Sequence, residues 1–214
     1  MKLTKLIFFI LFLSGSLCVK AQSITVGALN FFPPCSSLGS SNQYVGFCID
    51  LMNDICTRLN KTCLYKATAF EKQLVDLDTS TIDLTFSSSP IAPTNNTNYM
   101  FSLPYLTSNG QFLTLKNSKI NAVDEIRNKK IGALQFSKLQ PVLLRYTSEE
   151  HIKKYPNITE LMGGLADHEI DAILLNANFA KYFIHNSLVG LKLIGDPISL
   201  GDGYGLIALK KIQA

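Results

Sequence analysis

Apolar and polar positions fall along the chain in blocks of two kinds. Short runs rich in β-branched residues, SITVGAL from Ser23 and TCLYKATAF from Thr62, predict strands. Between them VGFCIDLMNDICTRLN carries Phe47, Ile49, Leu51, Met52, Ile55 and Leu59 close to helical spacing, with Asp50 and Asp54 in its early turns. That pattern predicts an amphipathic helix. EKQLVDLDTST reads as a short helix and turn, and IDLTFSSS as a third strand. Strand, helix, strand, helix, strand predicts a parallel α/β sheet with helices on its faces. Ligands gather at the carboxyl ends of the strands in such sheets, which here are NFFPPC, ATAF and SSSPIAP. Pro33 and Pro34 oppose continuation of strand or helix, so NFFPPCSS is expected to be an irregular loop.

A second α/β unit is expected from about Gln111 to Ser199. QFLTLK predicts a strand, and VDEIRNKKIGALQF a short helix followed by another. The end of that strand opens a helix containing LQPVLLRY, where Pro141 is tolerated near the first turn. HIKKYPNITELMGGLADHEIDAILLN supplies a strand-like approach, a helix and the apolar strand DAILLN, and a helix in ANFAKYFIHNS with strands in LKLIGDPI and YGLIALKK completes the pattern.

The start of the chain does not belong to this pattern. MKLTK is basic, LIFFILFLSGSL is apolar, and Val19-Lys20-Ala21 offers small residues for cleavage, so residues 1–21 are expected to be a secretory signal peptide. The apolar run is shorter than the roughly 20 residues that a membrane span needs. An acylated Cys18 is the rival reading, opposed by Leu17 directly before it.

The leader changes the charge argument. The whole chain has a formal net charge of +4, but Lys2, Lys5 and Lys20 leave with the leader and the remainder is close to neutral. Without a basic cluster there is no electrostatic footprint for nucleic acid. Cys35, Cys48, Cys56 and Cys63 remain, an even set in an exported chain, which argues for disulfides. His151, His168 and His185 lie far downstream of them, against a zinc site.

Five segments, in order, resemble the amino-acid-binding branch of the periplasmic solute-binding proteins of ABC transporters. VGALNFFPP looks like the family's first strand and aromatic loop, and VGFCIDLMNDI like its G-F-D-x-D-L helix start. IDLTFSSSPIAPTNNTNYMFSLPYL resembles the D-x-x-x-S-S-x-S-I-T-x-x-R segment that ends in F-S-x-P-Y. NKKIGALQFS resembles G-K-K-V-G-V-x-x-G-T, and EIDAILLN resembles G-x-x-D-A-x-x-x-D.

The resemblance implies a periplasmic-binding-protein type 2 fold: two α/β lobes, each a mostly parallel sheet flanked by helices, joined by two hinge strands. Lobe 1 would cover 22–108, with 200–214 returning to it, and lobe 2 would cover 109–199. The hinges would lie near Thr107 to Phe112 and Ser199 to Gly205. Cys56 and Cys63 match a cysteine pair of the histidine-binding and lysine/arginine/ornithine-binding members, which implies a disulfide. Cys35 and Cys48 have no such counterpart, and their pairing rests on the even number.

Family members hold an amino acid's carboxylate with an arginine and helix-terminal N–H groups, and its ammonium with an aspartate. A buried zwitterion needs a partner for each charge to recover its desolvation. In this sequence the arginine position falls on Asn95, the serine or threonine before it on Pro90, and the aspartate on Asn176. An acidic position of some cationic-ligand members falls on Leu29. Asp83, Pro93, Phe101, Pro104, Asp171 and Ala172 keep the register, and no arginine occurs between Arg58 and Arg127.

The candidate ligand-binding residues are therefore Phe32, Phe70, Ser87, Ser88, Asn95, Ser137 and Asn176. Each has a plain structural alternative: core aromatics for the phenylalanines, turn hydroxyls for the serines, and helix caps for Ser137 and Asn176. This set suits a small neutral or weakly polar ligand, in a monomer that uses no cofactor or metal and works with an ABC permease at the inner membrane. A degenerate sensor or secreted interaction protein of the same fold is one alternative. A periplasmic enzyme such as a dehydratase is another, opposed by the lack of a recognisable nucleophile, phosphate loop or carboxylate pair.

Overall fold

β1 (Ser23–Leu29) runs through the centre of one sheet and buries Val26, Ala28 and Leu29. The computed structural model describes residues 23–86, 98–135, 137 and 139–210. The expected leader, Ser87, Ser88 and Asn95 lie outside the described residues.

NFFPPCSS is more regular than expected. β2 (Phe31–Phe32), β3 (Ser36–Leu38) and β4 (Tyr44–Val45) form a small antiparallel sheet in the order β2-β3-β4. Pro33 and Pro34 occupy the turn between β2 and β3, where neither owes the ladder an N–H. That is why two prolines did not prevent pairing.

α1 (Phe47–Arg58) follows Gly46, whose φ is 130° and whose absent Cβ would lie 2.6 Å from the Cys35 carbonyl oxygen. Only glycine accepts both constraints. Cys48, Ile49, Met52 and Cys56 form the buried stripe of this helix and pack with Val26, Ala28 and Phe86. Two disulfides pin it. Cys35–Cys48 ties its first turn to the small sheet across 4.6 Å between Cα atoms, and Cys56–Cys63 ties its last turn to the next strand across 5.9 Å.

β5 (Thr62–Thr68) pairs in parallel with β1; α2 (Gln73–Asp78) then leads to β6 (Leu84–Phe86), parallel to β1 on its other side. β7 (Tyr99–Phe101) closes the far edge, with Tyr99 and Phe101 against Leu77, Ile82 and Ile207.

The second lobe is built on β8 (Asn109–Leu115), β9 (Ile131–Leu134), α3 (Gln140–Leu143), β10 (Ile152–Tyr155), α4 (Ile158–Ala166), β11 (Ala172–Asn176), α5 (Ala177–Asn186) and β12 (Leu191–Ser199). Its sheet order is β10-β9-β11-β8-β12, with β8 antiparallel to both neighbours. Alternate residues serve two cores, as strand geometry requires. Leu113, Ile173 and Leu175 pack under α4 and α5, while Phe112, Ala172 and Leu174 pack with Leu143 of α3. Pro197 lies in a register shift of the edge strand β12 between Ile194 and Ile198, a site where a missing N–H costs little.

β13 (Leu206–Leu209) inserts between β6 and β7, so the first sheet reads β5-β1-β6-β13-β7. The two segments that cross between the lobes are hydrogen-bonded to each other. Tyr105 N–H donates to the Tyr204 carbonyl at 2.8 Å, Tyr204 N–H to Leu106 at 2.8 Å, and Leu200 N–H to Ser108 at 2.9 Å. Paired crossings restrict the lobes to moving about one common line. Among the described residues no helix is long and apolar enough to cross a membrane.

Candidate functional site between the lobes

Phe32 ends β2 facing the gap between the lobes, and three aromatic groups meet there. Its ring contacts Phe70 at 5.0 Å between centroids with an interplanar angle of 82°, and Phe179 at 4.0 Å and 63°. These are edge-to-face arrangements, in which a ring's positive edge meets a negative face. Phe70 follows β5 in the first lobe, whereas Phe179 stands in the first turn of α5 in the second. Phe179 packs against the core of each lobe and therefore joins them.

Beside this junction lies a small interlobe pocket. The first lobe contributes Phe32, Pro34, Phe47 and the Cys35–Cys48 disulfide; the second contributes Asn176, Asn178 and Phe179; Tyr105, Leu106 and Tyr204 close it from the hinge. Its volume is about 20 Å³, room for about one water. A ligand of amino-acid size needs the lobes to part and Phe179 to leave Phe32.

Asn176 is the polar centre of this pocket. It ends β11 and caps α5, its Oδ1 accepting from Asn178 N–H at 2.8 Å. The cap fixes the amide's orientation and turns Nδ2 away from the helix. Asn176 is only 5% exposed, and Nδ2 makes no hydrogen bond of normal geometry, although the amide lies close enough to the Tyr204 hydroxyl to lower its pKa. An unsatisfied buried donor costs about 1–3 kcal/mol, which a ligand acceptor would recover. The cap reading and the ligand reading of Asn176 are thus compatible, one for each end of the same amide.

Two phenols flank it. Burial pushes Tyr204 up to about 12, with the Asn176 amide pulling weakly the other way. Burial also raises Tyr105, and the adjacent Tyr204 adds to the shift. Both remain protonated donors at neutral pH. The Tyr105 hydroxyl lies 3.8 Å from the Cys48 sulfur, so the Cys35–Cys48 disulfide forms part of its seat. Among the described residues, none lining the pocket carries a formal charge and no three metal-ligating side chains cluster.

Of the residues expected at the site, Phe32 and Asn176 line this pocket, and Phe70 lies beside it against Phe32. Ser137 does not line this pocket: its Oγ accepts from Leu139 N–H at 3.2 Å, a local turn bond before α3. Phe179, Phe47, Tyr105 and Tyr204 were not among the sequence candidates. For Phe179 a signal existed, since a residue three beyond an N-cap shares that cap's side of the helix. For Tyr204 none did, because its place depends on the second crossing lying beside the first.

This geometry agrees with what the chain resembles. Residues 24–181 match the family model of the bacterial extracellular solute-binding proteins, family 3. A solved structure described as an arginine third transport system periplasmic binding protein from Legionella pneumophila superposes with a TM-score of 0.81 at 32% identity, covering 89% of this chain and 87% of that one. The arginine-binding periplasmic protein of Mannheimia haemolytica is 26% identical over 91% of this chain and 81% of its own length. The lysine/arginine/ornithine-binding periplasmic protein of Escherichia coli is also 26% identical, over 90% and 78%. With both lobes, the paired crossings and the interlobe pocket in place, the chain belongs to the bacterial extracellular solute-binding proteins, family 3.

Proposed function

We propose that this protein is an exported, monomeric solute-binding protein that captures a small, uncharged polar ligand between its lobes and delivers it to an ABC-type permease at the inner membrane. The observation that carries the reading is the buried, unpartnered Asn176 Nδ2 at the position where the amino-acid-binding relatives place an aspartate. An amide can satisfy a ligand carbonyl or hydroxyl but cannot neutralise an ammonium group. The described residues that line the pocket are uncharged, which supports the same reading, since they offer a zwitterion no charged partner to recover its desolvation. Ser87, Ser88 and Asn95, in the sequence after β6, complete the ligand set, with Asn95 where relatives carry the carboxylate-clamping arginine.

A second reading has a specific observation behind it. Five aromatic side chains, Phe32, Phe47, Phe179, Tyr105 and Tyr204, line one pocket, and aromatic faces attract guanidinium and ammonium groups. Similar proteins carry arginine-binding names. Thermal-shift and calorimetric titration with N-acetyl amino-acid amides and small neutral peptides, against free arginine, lysine and histidine, separates the two. A ligand should raise the unfolding free energy by RT ln(1 + [L]/Kd). Stabilisation by the neutral amides alone supports the first reading; a clear shift with arginine defeats it. Installing Asn95→Arg with Asn176→Asp is expected to convert the protein toward weak binding of free amino acids.

A further inference from the structure

A groove separate from the interlobe cleft opens on the outer side of the first lobe, between α1, β5 and the small sheet. It encloses about 580 Å³, within the range of small-molecule sites. It shares no lining residue with the interlobe pocket. Its polar walls are Asn30, Asn42, Gln43 and Asn53, and its aromatic walls are Tyr44 and Tyr65.

The two tyrosines organise two of the amides. Tyr44 O–H donates to Asn30 Oδ1 at 2.5 Å. Tyr65 O–H lies 2.8 Å from Asn53 Oδ1 and 2.9 Å from the Ile49 carbonyl oxygen. Tyr44 holds Asn30 by its oxygen and leaves that amide's NH2 as a donor, whereas the single Tyr65 proton is shared between Asn53 Oδ1 and the Ile49 carbonyl, so the Asn53 amide keeps a polar end for a guest. Each phenol oxygen keeps lone pairs as an acceptor. The rings stand 6.0 Å apart at 48°, so they present two inclined apolar faces between the polar groups. Tyr65 holds its proton throughout the physiological range, because burial and then the nearby Asp50 raise it to about 12.

Among the described residues, none that lines the groove is charged. Asn30, Asn42, Gln43 and Asn53 are exposed, so the groove selects by matching hydrogen bonds and ring faces rather than by desolvation: it offers an ion no opposite charge, and a purely apolar guest makes no use of the amides. Asp50, close enough to raise the Tyr65 phenol, further disfavours anions. A ring that carries hydroxyls on its edge and C–H groups on its faces satisfies both the amides and the tyrosines.

We propose that this groove is a second binding site, for a neutral saccharide, gripped by Asn30, Asn53 and the inclined faces of Tyr44 and Tyr65. The proposal goes beyond the cleft reading and does not depend on it.

The test uses the folded, disulfide-bonded protein with methyl β-glucopyranoside as probe, followed by saturation-transfer NMR and by chemical-shift titration. The probe is expected to perturb Tyr44, Tyr65 and Asn53 at millimolar concentration. Asn53→Ala and Tyr44→Phe, both at partly or fully exposed positions, should each weaken binding about five- to tenfold, the loss of one hydrogen bond. Phe179→Ala in the cleft should leave it unchanged. The proposal is overturned if the groove residues do not respond, or if Phe179→Ala abolishes binding while the groove variants keep it. Glucuronate binding as well as the neutral glycoside overturns it too, as does acetamide binding in place of the glycoside.

Discussion

The ring of Phe179 in the second lobe rests on that of Phe32 in the first at 4.0 Å, and this contact closes the cleft with the protein's own side chains. Truncating Phe179 to alanine removes the only ring described here that packs on both lobe cores. Because Phe179 is half-buried, Phe179→Ala should cost about 2 kcal/mol, below the range for a fully buried phenylalanine. It should also enlarge the radius of gyration in small-angle scattering. Urea unfolding with an unchanged midpoint, together with unchanged scattering, would show that the lobes are held by the hinge alone.

The buried phenols make stability fall in alkali. Tyr204 titrates at about 12 in the folded protein against about 10 in an unfolded chain. The folded state therefore binds the proton more tightly. Its contribution is fully present below pH 10 and is lost as pH rises through 12. Tyr204→Phe should flatten this decline, removing on the order of 2 kcal/mol of pH-dependent stability across that window. Brief thermal melts between neutral pH and pH about 12 compare the two proteins. Equal slopes would place the alkaline sensitivity elsewhere.

The two disulfides should differ in what their removal does. Cys56–Cys63 closes a loop with a sequence separation of 7 and Cys35–Cys48 one of 13. The chain-entropy model assigns them about 2.5 and about 3 kcal/mol. Replacing Cys56 and Cys63 by serine should lower stability and leave cleft binding intact. Replacing Cys35 and Cys48 should lower stability and also weaken ligand capture, because that bridge lines the pocket and seats Tyr105. Denaturant titration and calorimetry with the best cleft ligand check both, and equal effects on binding would contradict the assignment.

Much of the fold was legible from local pattern. The helical spacing of Ile49 and Met52 marks the buried face of α1, although Phe47 and Leu59 of the same apolar pattern lie exposed at its ends, and the apolar run Ala172–Asn176 defines a central strand, because burial repeats with the period of each backbone form. An even set of cysteines in a chain expected to be exported was enough to expect bridges, and the resemblance was enough to pair Cys56 with Cys63. The small sheet around Pro33 and Pro34 was not legible, because short strands are created by the neighbour they pair with rather than by their own propensity.

For the site the division is sharper. The sequence by itself determined that Asn176 stands at the end of a strand and the start of a helix, and that residue 176 carries no charge. Only the tertiary structure decided that its Nδ2 would be sealed without a partner, that Tyr204 would lie beside Tyr105, and that Phe179 would meet Phe32. Those relationships join residues from different lobes and crossings. They follow from how two separately packed cores come together, which no periodicity within one segment encodes.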